Sequence, residues 1–552
     1  MKQTSRADRV SPILQHILDA SVVLIILLVG WVYTHGIEQV LDIGLYDESD
    51  YLHRGILIPS SGFPHAQSAP LYSLWYYTLS FAQPDTIQLY FLNYKLMTVL
   101  PPLVLFIVLR AYSVSRIVSF VLSLGFLFSS ANFPTWPKVS HFAVVVLLCG
   151  FFLFSFFRDQ RLQTCALVTA ALLASYIRPE CFLTFICLSV VLVVVTFVRL
   201  RLTRSLRSTI PLLVTLIPLL ILVFWLGPPM GSGNRSMAAF SQHYARNWTS
   251  WHNDERNPWT NWDTIVANDF GDAESPREAL LTNPLAVTRH IAHNVRTLPS
   301  ELERMFGSTY PHNWNANVAL KLGILMILAA GVPYLRKDVI RTAVGRLVVN
   351  CKHAWFPALC LLVVLLPVAV SILLIAPRRH YLYIFGVMLV FGLATLFFRN
   401  THQNAEHSSY SIFALLCIAM LLTTRPLSNS IKVTAQPNLS TIRFLRSLDI
   451  TVPIKVLEAE GGYGIYVGRN YTRVAEYNKR VPFEDFLAER SIDMVIESDR
   501  LSQDVRFSED PEWHSFTNAP SRFGFTQVAM PAVEGRRLFI RKEIVQTPRS
   551  TE

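Results

Sequence analysis

The chain has 552 residues, of which 52% are hydrophobic and only 16% are charged. Water-soluble domains carry about a quarter charged residues, so this composition excludes an ordinary soluble globule and indicates an integral membrane protein. The formal net charge is +11, but Arg and Lys gather in short connections between apolar runs, where the orientation of the protein in its membrane explains them. We therefore expect membrane lipids, and no nucleic acid, as partners.

Apolar runs long enough to cross a bilayer recur along the chain, and we interpret about eleven of them as transmembrane helices. They lie near 19–35, 93–110, 116–133, 141–157, 163–178, 181–199, 209–227, 318–335, 354–377, 381–398 and 409–425. The strands of a membrane β-barrel would instead appear as shorter segments of alternating hydrophobicity. The predicted fold class is thus a polytopic α-helical membrane protein, with a membrane domain over 1–425.

The distribution of basic residues predicts the orientation of the spans. If the amino terminus is cytoplasmic, most Arg and Lys residues of the short connections fall on the cytoplasmic side, as the positive-inside rule requires. An odd number of spans then places the carboxyl terminus outside the cytoplasm. Three larger polar segments, 36–92, 228–317 and 426–552, fall on the outer face. We expect a bacterial inner membrane, because neither end carries a eukaryotic retrieval signal.

The tail over 426–552 has the pattern of a small extracytoplasmic α/β domain, docked on the outer membrane surface. Helices are predicted around Ile442 and over 482–489, and strands over 453–457, 493–496, 525–530 and 537–541. The glycines at 461, 462 and 464 lack the full spacing of a dinucleotide-binding loop, so they predict a plain turn.

Three acidic residues follow the first predicted span by about ten positions, at Asp47, Glu48 and Asp50. A carboxylate there can act as a general base on an acceptor hydroxyl or hold a divalent cation, and Asp47 and Glu48 are the candidate ligands if a cation is bound. The alternative is a solvated acidic turn. The aromatic stretch that follows belongs at the membrane interface and supplies further candidate substrate contacts, namely Tyr51, His65 and Tyr72.

Basic residues also occur in three short outer connections, against the usual charge distribution. Arg178 lies in the turn between two spans, and Arg378, Arg379, His380 and Tyr381 lie in a later turn. Arginine suits phosphate oxygens because its guanidinium group donates paired hydrogen bonds. Lys138 and His141 add a third contribution. Ion pairing with a neighbour such as Glu180, or contact with lipid headgroups, is the alternative explanation.

These features together resemble the GT-C superfamily of membrane glycosyltransferases, which includes protein O-mannosyltransferases and the aminoarabinose transferase acting on lipid A. The resemblance rests on four short motifs, the first of which is the acidic pair in the first outer loop, and it covers about 1–425. The motifs are Asp47-Glu48, Ala69-Pro-Leu-Tyr72, Arg178-Pro-Glu180 and Arg379-His-Tyr-Leu382. The sequence departs from the family in extending the acidic pair to Asp-Glu-Ser-Asp.

The resemblance implies a hexosyl- or pentosyltransferase that uses a polyprenyl-phosphate-linked sugar. Asp47 would deprotonate the acceptor, with Glu48 as the second candidate for this role. Arg178, Arg378 and Arg379 would bind the donor phosphate, with Lys138 and His141 beside them. A single displacement would invert the anomeric centre, and the acceptor would be a lipid, a polysaccharide or a protein.

Two other functions are open on the sequence alone. A transporter or flippase of lipid-linked saccharides would carry ionisable residues deep within its spans, and the predicted spans are nearly free of central charges. An O-antigen ligase or polymerase would rely on a large late outer loop with Arg and His. The segment 228–317 contains such residues and several tryptophans that can stack on sugar rings, which keeps this second alternative open.

Overall fold

The structure is a computed structural model that describes residues 12–133, 135–230, 235–259, 261–306, 337–398, 410–429, 436–474, 479–530 and 535–545. The predicted span at 318–335 lies outside these residues. The chain divides into two compact units. The helical unit comprises Met1–His35, Ser60–Trp75 and Asn93–Ser430, and the sheet unit comprises Gly36–Pro59, Tyr76–Leu92 and Ile431–Glu552.

Helices make up most of the described chain before the tail. The first group is α1 (Pro12–Thr34), α2 (Glu48–Ser61), α3 (Pro70–Ser80), α4 (Thr86–Ala111), α5 (Arg116–Phe128), α6 (Val139–Phe156), α7 (Gln160–Ser175), α8 (Cys181–Thr203) and α9 (Ile210–Leu226). The second group is α10 (Arg235–His252), α11 (Trp262–Phe270), α12 (Pro276–Thr282), α13 (Pro284–Phe306), α14 (Lys337–Leu374), α15 (Arg379–Phe397) and α16 (Tyr410–Thr423).

Within the described residues, seven helices are long and apolar enough to cross a membrane. They are Ile13–Gln39, Thr86–Ala111, Val139–Phe156, Cys181–Thr203, Leu206–Leu226, Trp355–Leu374 and Arg379–Phe397. Three further predicted spans coincide with the shorter helices α5, α7 and α16. The predicted class, a polytopic helical membrane protein with a small α/β domain, is confirmed.

Five helices of the helical unit pack in a closed ring, and this ring brings two chain turns together. Helix α6 packs on α7, α7 on α8, α8 on α14, α14 on α15, and α15 back on α6. A five-residue turn joins α7 to α8, and a four-residue turn joins α14 to α15. Short turns make consecutive helices antiparallel neighbours. The guanidinium carbon of Arg178, which precedes α8, lies 5.0 Å from the ring centroid of Tyr381 in the first turn of α15, so the two turns lie at the same end of the ring.

The contact between α6 and α7 depends on a glycine. A Cβ atom added at Gly150 would lie 2.4 Å from the Cβ of Ala170, which is fixed to the backbone of α7. Small residues at such positions allow membrane helices to approach closely, and close packing drives their association. Gly150 therefore sets the spacing of the two helices at this point of the ring.

The predicted outer segment 228–317 contains helices α10 to α13, which share a small apolar core. Tyr244 lies in this core and donates a hydrogen bond to Asp269 at 2.5 Å. The core residues are Met237, Phe240, Tyr244, Val266, Phe270, Ala279 and Val287. Both α10 and α13 are amphipathic, so burial of one apolar face stabilises them against the rest of the helical unit.

The sheet unit contains helices α17 (Pro437–Ser447), α18 (Tyr463–Val467), α19 (Phe483–Glu489), α20 (Asp499–Ser502), α21 (Val505–Ser508), α22 (Pro511–Asn518) and α23 (Lys542–Val545). Its strands are β1 (Ile454–Leu457), β2 (Tyr471–Val474), β3 (Met494–Glu497), β4 (Phe525–Val528) and β5 (Arg537–Arg541), in the order β2-β1-β3-β5-β4. Strand β1 is parallel to β2 and β3, whereas β5 is antiparallel to β3 and β4.

The first part of the predicted first outer loop, Gly36–Pro59, belongs to the sheet unit and occupies the crevice at the carboxyl ends of β1 and β3. The strand order reverses between β1 and β3, and α/β folds bind their ligands at such points. Here the Tyr46 hydroxyl donates to the carbonyl oxygen of Ala459 at 2.7 Å, and the Arg500 guanidinium lies 4.5 Å from the Tyr46 ring centroid. A Cβ atom at Gly462 would lie 2.5 Å from the Leu45 oxygen. The Gly-rich turn thus accommodates the loop.

Candidate functional site

Arg178 lies in the turn between α7 and α8, and two neighbours fix its guanidinium group. Its Nη2 atom lies 2.7 Å from a carboxylate oxygen of Glu180, and both side chains are largely buried. The guanidinium carbon lies 5.0 Å from the centroid of the Tyr381 ring. The ion pair that the sequence left open as an alternative is therefore present, and it compensates part of the charge of Arg178.

The turn between α14 and α15 is held by polar side chains of α10 and α13. The last carbonyl groups of a helix have no partner within the helix. Asn294 Nδ2 donates to the oxygen of Leu373 at 2.8 Å, and His290 Nε2 lies 3.1 Å from the oxygen of Leu374. Asn247 Nδ2 in turn lies 3.0 Å from His290 Nδ1. This network fixes the position of the arginine turn that follows.

Arg378 and Arg379 begin α15 in different surroundings. The Arg378 guanidinium lies 4.2 Å from the centroid of the Trp259 ring, at a distance typical of cation–π contacts. Arg379 is half-buried, and no ion pair with it occurs among the described residues. At this turn Arg379 is thus a cation without a protein counterion among the residues that the structure describes.

His243 of α10 lies between the two arginine stacks. Its ring meets the rings of Trp259 and Tyr381 edge to face, with centroid distances of 5.5 Å and 5.8 Å. Burial, together with the positive charges of Arg378 and Arg246, lowers the pKa of His243 to about 3. We call Arg178, Tyr381, His243, Trp259 and Arg378 the arginine–aromatic cluster.

The cluster combines residues that the sequence identified with residues that it did not single out for phosphate binding. The arginines and Tyr381 were predicted from their turns, and His380 stacks on Tyr381 with ring centroids 4.1 Å apart. His243 and Trp259 were noted only as part of the His- and Trp-rich outer segment. Their approach to the turn depends on the packing of α10, for which the amphipathic pattern of that helix is the one sequence signal.

Lys138 and His141 form a second, fully buried cluster in the helical unit. The Lys138 ammonium donates to the oxygen of Asn132 at 2.5 Å and lies 4.3 Å from the centroid of the Tyr94 ring. His141 stacks on Tyr383 with centroids 3.7 Å apart, and its Nε2 atom lies 3.3 Å from the Lys138 ammonium. These contacts fix the start of α6, and a role in phosphate binding stays a prediction.

The acidic motif begins helix α2 in the sheet unit. Glu48 is buried, and its carboxylate accepts a hydrogen bond from the Tyr76 hydroxyl at 2.5 Å. The Ser49 hydroxyl lies 2.5 Å from that of Tyr466. Acidic residues in the first turn of a helix also interact favourably with the helix dipole. The structure therefore gives Glu48 an internal hydrogen-bonding role.

Asp47 precedes α2 and differs from Glu48 in its exposure. It is exposed to solvent and has a φ of 35°, in the left-handed region that Asp and Asn adopt more readily than other residues with side chains. Its carbonyl oxygen accepts from the amide of Tyr51 at 3.0 Å. Of the two predicted base candidates, Asp47 is the one that solvent reaches.

The remaining predicted contacts lie in varied settings. Asp50 forms an ion pair with Arg54 at 2.5 Å on the surface of α2, and Tyr51 is buried in the sheet unit. His65 caps a short helical turn by accepting from the amide of Gln67 at 3.3 Å. Tyr72 is buried in the helical unit, where its hydroxyl accepts from Asn93 at 2.7 Å. Contact of these four residues with a substrate stays a prediction.

The divalent cation considered for Asp47 and Glu48 stays a prediction. Within the described parts of the chain, no three His, Cys, Asp or Glu side chains are grouped so that they could hold a metal ion. One oxygen of Glu48 is also engaged by Tyr76.

Comparison with known proteins gives similarity to solved structures only. No family model and no curated protein matches the sequence. Among solved structures, the chain is similar to ArnT from Cupriavidus metallidurans, which was solved bound to undecaprenyl phosphate. The match has 12% sequence identity and a TM-score of 0.35, and it covers 96% of this chain and 98% of that one.

Proposed function

We propose that this protein is a membrane glycosyltransferase that moves a hexose or pentose from a polyprenyl-phosphate-linked donor to an acceptor on the outer face of a bacterial inner membrane. The acceptor is a lipid, a polysaccharide or a protein. Three observations support the proposal: the arginine–aromatic cluster, the helices long and apolar enough to cross a membrane, and loop motifs that resemble those of the GT-C superfamily.

The arginine–aromatic cluster is the observation that carries this proposal. Arginines held by cation–π stacking keep their N–H groups in fixed directions, and guanidinium groups bind phosphate through paired hydrogen bonds. Arg378 and Arg379 lie at a turn that is held in place by the hydrogen-bond network of Asn247, His290 and Asn294. Aromatic rings beside them offer surfaces for a sugar. A phosphate-linked sugar matches this combination.

The proposed reaction is a single displacement at the anomeric carbon. The acceptor oxygen forms a bond to that carbon while the bond from the carbon to the phosphate oxygen breaks, and its electron pair stays on the departing phosphate. Arg378 and Arg379 stabilise the negative charge that develops there. Asp47 accepts the proton of the acceptor hydroxyl as a general base. The product has the inverted anomeric configuration.

The experiment is a transfer assay with purified protein in nanodiscs and a panel of radiolabelled polyprenyl-phosphate sugars, measuring the polyprenyl phosphate released. Arg379→Ala is expected to raise KM for the donor about tenfold to a hundredfold, the loss of a charge-assisted hydrogen bond. Arg304→Ala, which removes an exposed arginine of α13, is the matched control. Release that is absent from the whole panel, or unchanged in Arg379→Ala, would contradict the proposal.

Two other functions are outcomes of the same assay. The contribution of His243 and Trp259 from the outer segment favours a ligase-type enzyme as the second candidate, so the panel includes a pyrophosphate-linked oligosaccharide. Consumption of that donor alone would identify a ligase. Movement of labelled lipid between the leaflets of a liposome, without transfer, would identify a transporter.

A further inference from the structure

The strongest feature that the proposed reaction does not use is the buried side chain of His243. Only 4% of its surface is exposed, and its Nδ1 atom has no hydrogen-bond partner within the described residues. A buried polar atom without a partner costs about 1 to 3 kcal/mol. A phenylalanine would make the same edge-to-face contacts with Trp259 and Tyr381 without this cost. Packing alone therefore does not explain a histidine here.

The charges around His243 indicate the kind of group that would complete its hydrogen bonding. Arg246 lies on its own helix, and Arg378 lies on the turn packed against it. His290 of α13 and His380 of α15 also face it, and burial lowers the pKa of His290 to about 4, so that this neighbour is neutral near pH 7. The potential at His243 is thus positive, which favours an anion.

We propose that His243 Nδ1 forms a hydrogen bond with an oxygen of a phosphate group bound in the arginine–aromatic cluster. The ligand class is the phosphate ester of a long-chain lipid, either the proposed donor or its polyprenyl phosphate product. This inference rests on the proposed function for the identity of the lipid. An anionic phospholipid headgroup offers the same chemistry, and the two sources are separated below.

The test uses His243→Phe, which keeps the ring and removes the nitrogen atoms. Undecaprenyl phosphate is added to the full-length protein in detergent, and the shift of the thermal unfolding midpoint with concentration gives its affinity. We expect the variant without lipid to be at least as stable as the wild type, and its affinity to fall about tenfold or more. His252→Phe is the control, because His252 lies on the same helix and is exposed.

The outcomes separate the two proposals. Equal lipid affinity in His243→Phe and the wild type would overturn the inference. A variant that is less stable than the wild type without lipid but binds lipid normally would also overturn it, because His243 would then have a structural role only. Equal stabilisation by phosphatidylglycerol would assign the site to bulk headgroups and overturn the polyprenyl assignment. Binding that requires His243 in a protein that transfers no sugar would keep the phosphate site and contradict the glycosyltransferase.

Discussion

Asp47 and Glu48 are neighbours in the sequence, but their side chains lie in opposite environments. Glu48 is 1% exposed and hydrogen-bonded to Tyr76, whereas Asp47 is exposed and precedes the helix in a left-handed conformation. A general base must reach the proton of a substrate that arrives from solvent or from the membrane. Of the two carboxylates, the exposed Asp47 is therefore the one that we propose as the base, whereas Glu48 has an internal hydrogen bond.

Replacing each carboxylate by its amide should separate these roles. Asp47→Asn is expected to lower kcat about a hundredfold or more, as the loss of a general base does, with an unchanged thermal midpoint because Asn also tolerates the left-handed region. Glu48→Gln is expected to lower the free energy of unfolding by about 1 to 3 kcal/mol. The transfer assay and thermal unfolding measure the two effects. Wild-type activity in Asp47→Asn would assign the base elsewhere.

The sequence identified candidate site residues in the turns better than it identified the side chains that contact them. Arg178, Arg378 and Tyr381 could be identified because short turns between apolar runs place their residues near a membrane surface. Trp259 could not be predicted as their partner, because it lies in the segment 228–317, whose fold is set by the core shared by α10 to α13. The ion pair of Arg178 with Glu180 was open as an alternative, since residues two apart at a helix start lie within reach of each other.

At the scale of elements, α10 and α13 should make the arginine turn sensitive to acid. The pKa of His243 is about 3 and that of His290 about 4 in the folded protein, mainly because both side chains are buried. An unfolded histidine has a pKa of about 6.5, so below that pH the unfolded chain binds more protons than the folded one. The contribution of the neutral, buried histidines to the stability of the fold is therefore fully present above about pH 6.5 and is lost as the pH falls.

For each of these histidines, we expect acidification from pH 7 to pH 5 to lower the free energy of unfolding by on the order of 2 kcal/mol. Hydrogen exchange of α10 and α13, corrected for the intrinsic rate, should therefore show lower protection at pH 5. His243→Phe should remove its share of this change, whereas His252→Phe should leave it intact. Equal protection at both pH values would mean that the two helices open without exposing the histidines.

The spacing of α6 and α7 gives a second prediction at this scale. Gly150→Ala would place a methyl group against the Cβ of Ala170, which cannot move without the backbone, and we expect a loss of about 1 to 3 kcal/mol. Gly392→Ala is the control, since its nearest neighbour is the flexible end of Leu361, and it should cost less. Unfolding in mixed micelles compares the two. A larger loss for Gly392→Ala would contradict this account of the ring.

Elements were predictable where a strong pattern had one structural solution. The apolar runs predicted helices such as α6 and α8 to within a few residues, and the alternating or apolar stretches of the tail predicted β1, β3 and β5. Strand β2 was not predicted, because Tyr471–Val474 carries two polar residues and pairs at the edge of the sheet. A four-residue stretch with two polar members shows no clear strand pattern, so its sequence signal is weak.

At the scale of the molecule, the sequence predicted a tail domain over 426–552, whereas the compact sheet unit also includes two segments of the predicted first outer loop, Gly36–Pro59 and Tyr76–Leu92. Asp42 of this loop accepts hydrogen bonds from the amides of Asn438 and Leu439, and so caps helix α17. Contacts between residues almost 400 positions apart leave no local pattern in a sequence. The stability of the acidic loop is therefore tied to the tail.

This arrangement predicts that the loop and the tail unfold together. Asp42→Ala would leave buried amides at the start of α17 without an acceptor, a cost of about 1 to 3 kcal/mol. If the sheet unit is one cooperative body, limited proteolysis followed by mass spectrometry should show cleavage within 36–59 and within the tail accelerated by the same factor, about tenfold. Asp50→Ala, which removes only a surface ion pair, should change neither rate appreciably. Faster cleavage of the tail alone would instead mean that the tail is an independent domain, and that the position of Asp47 does not depend on it.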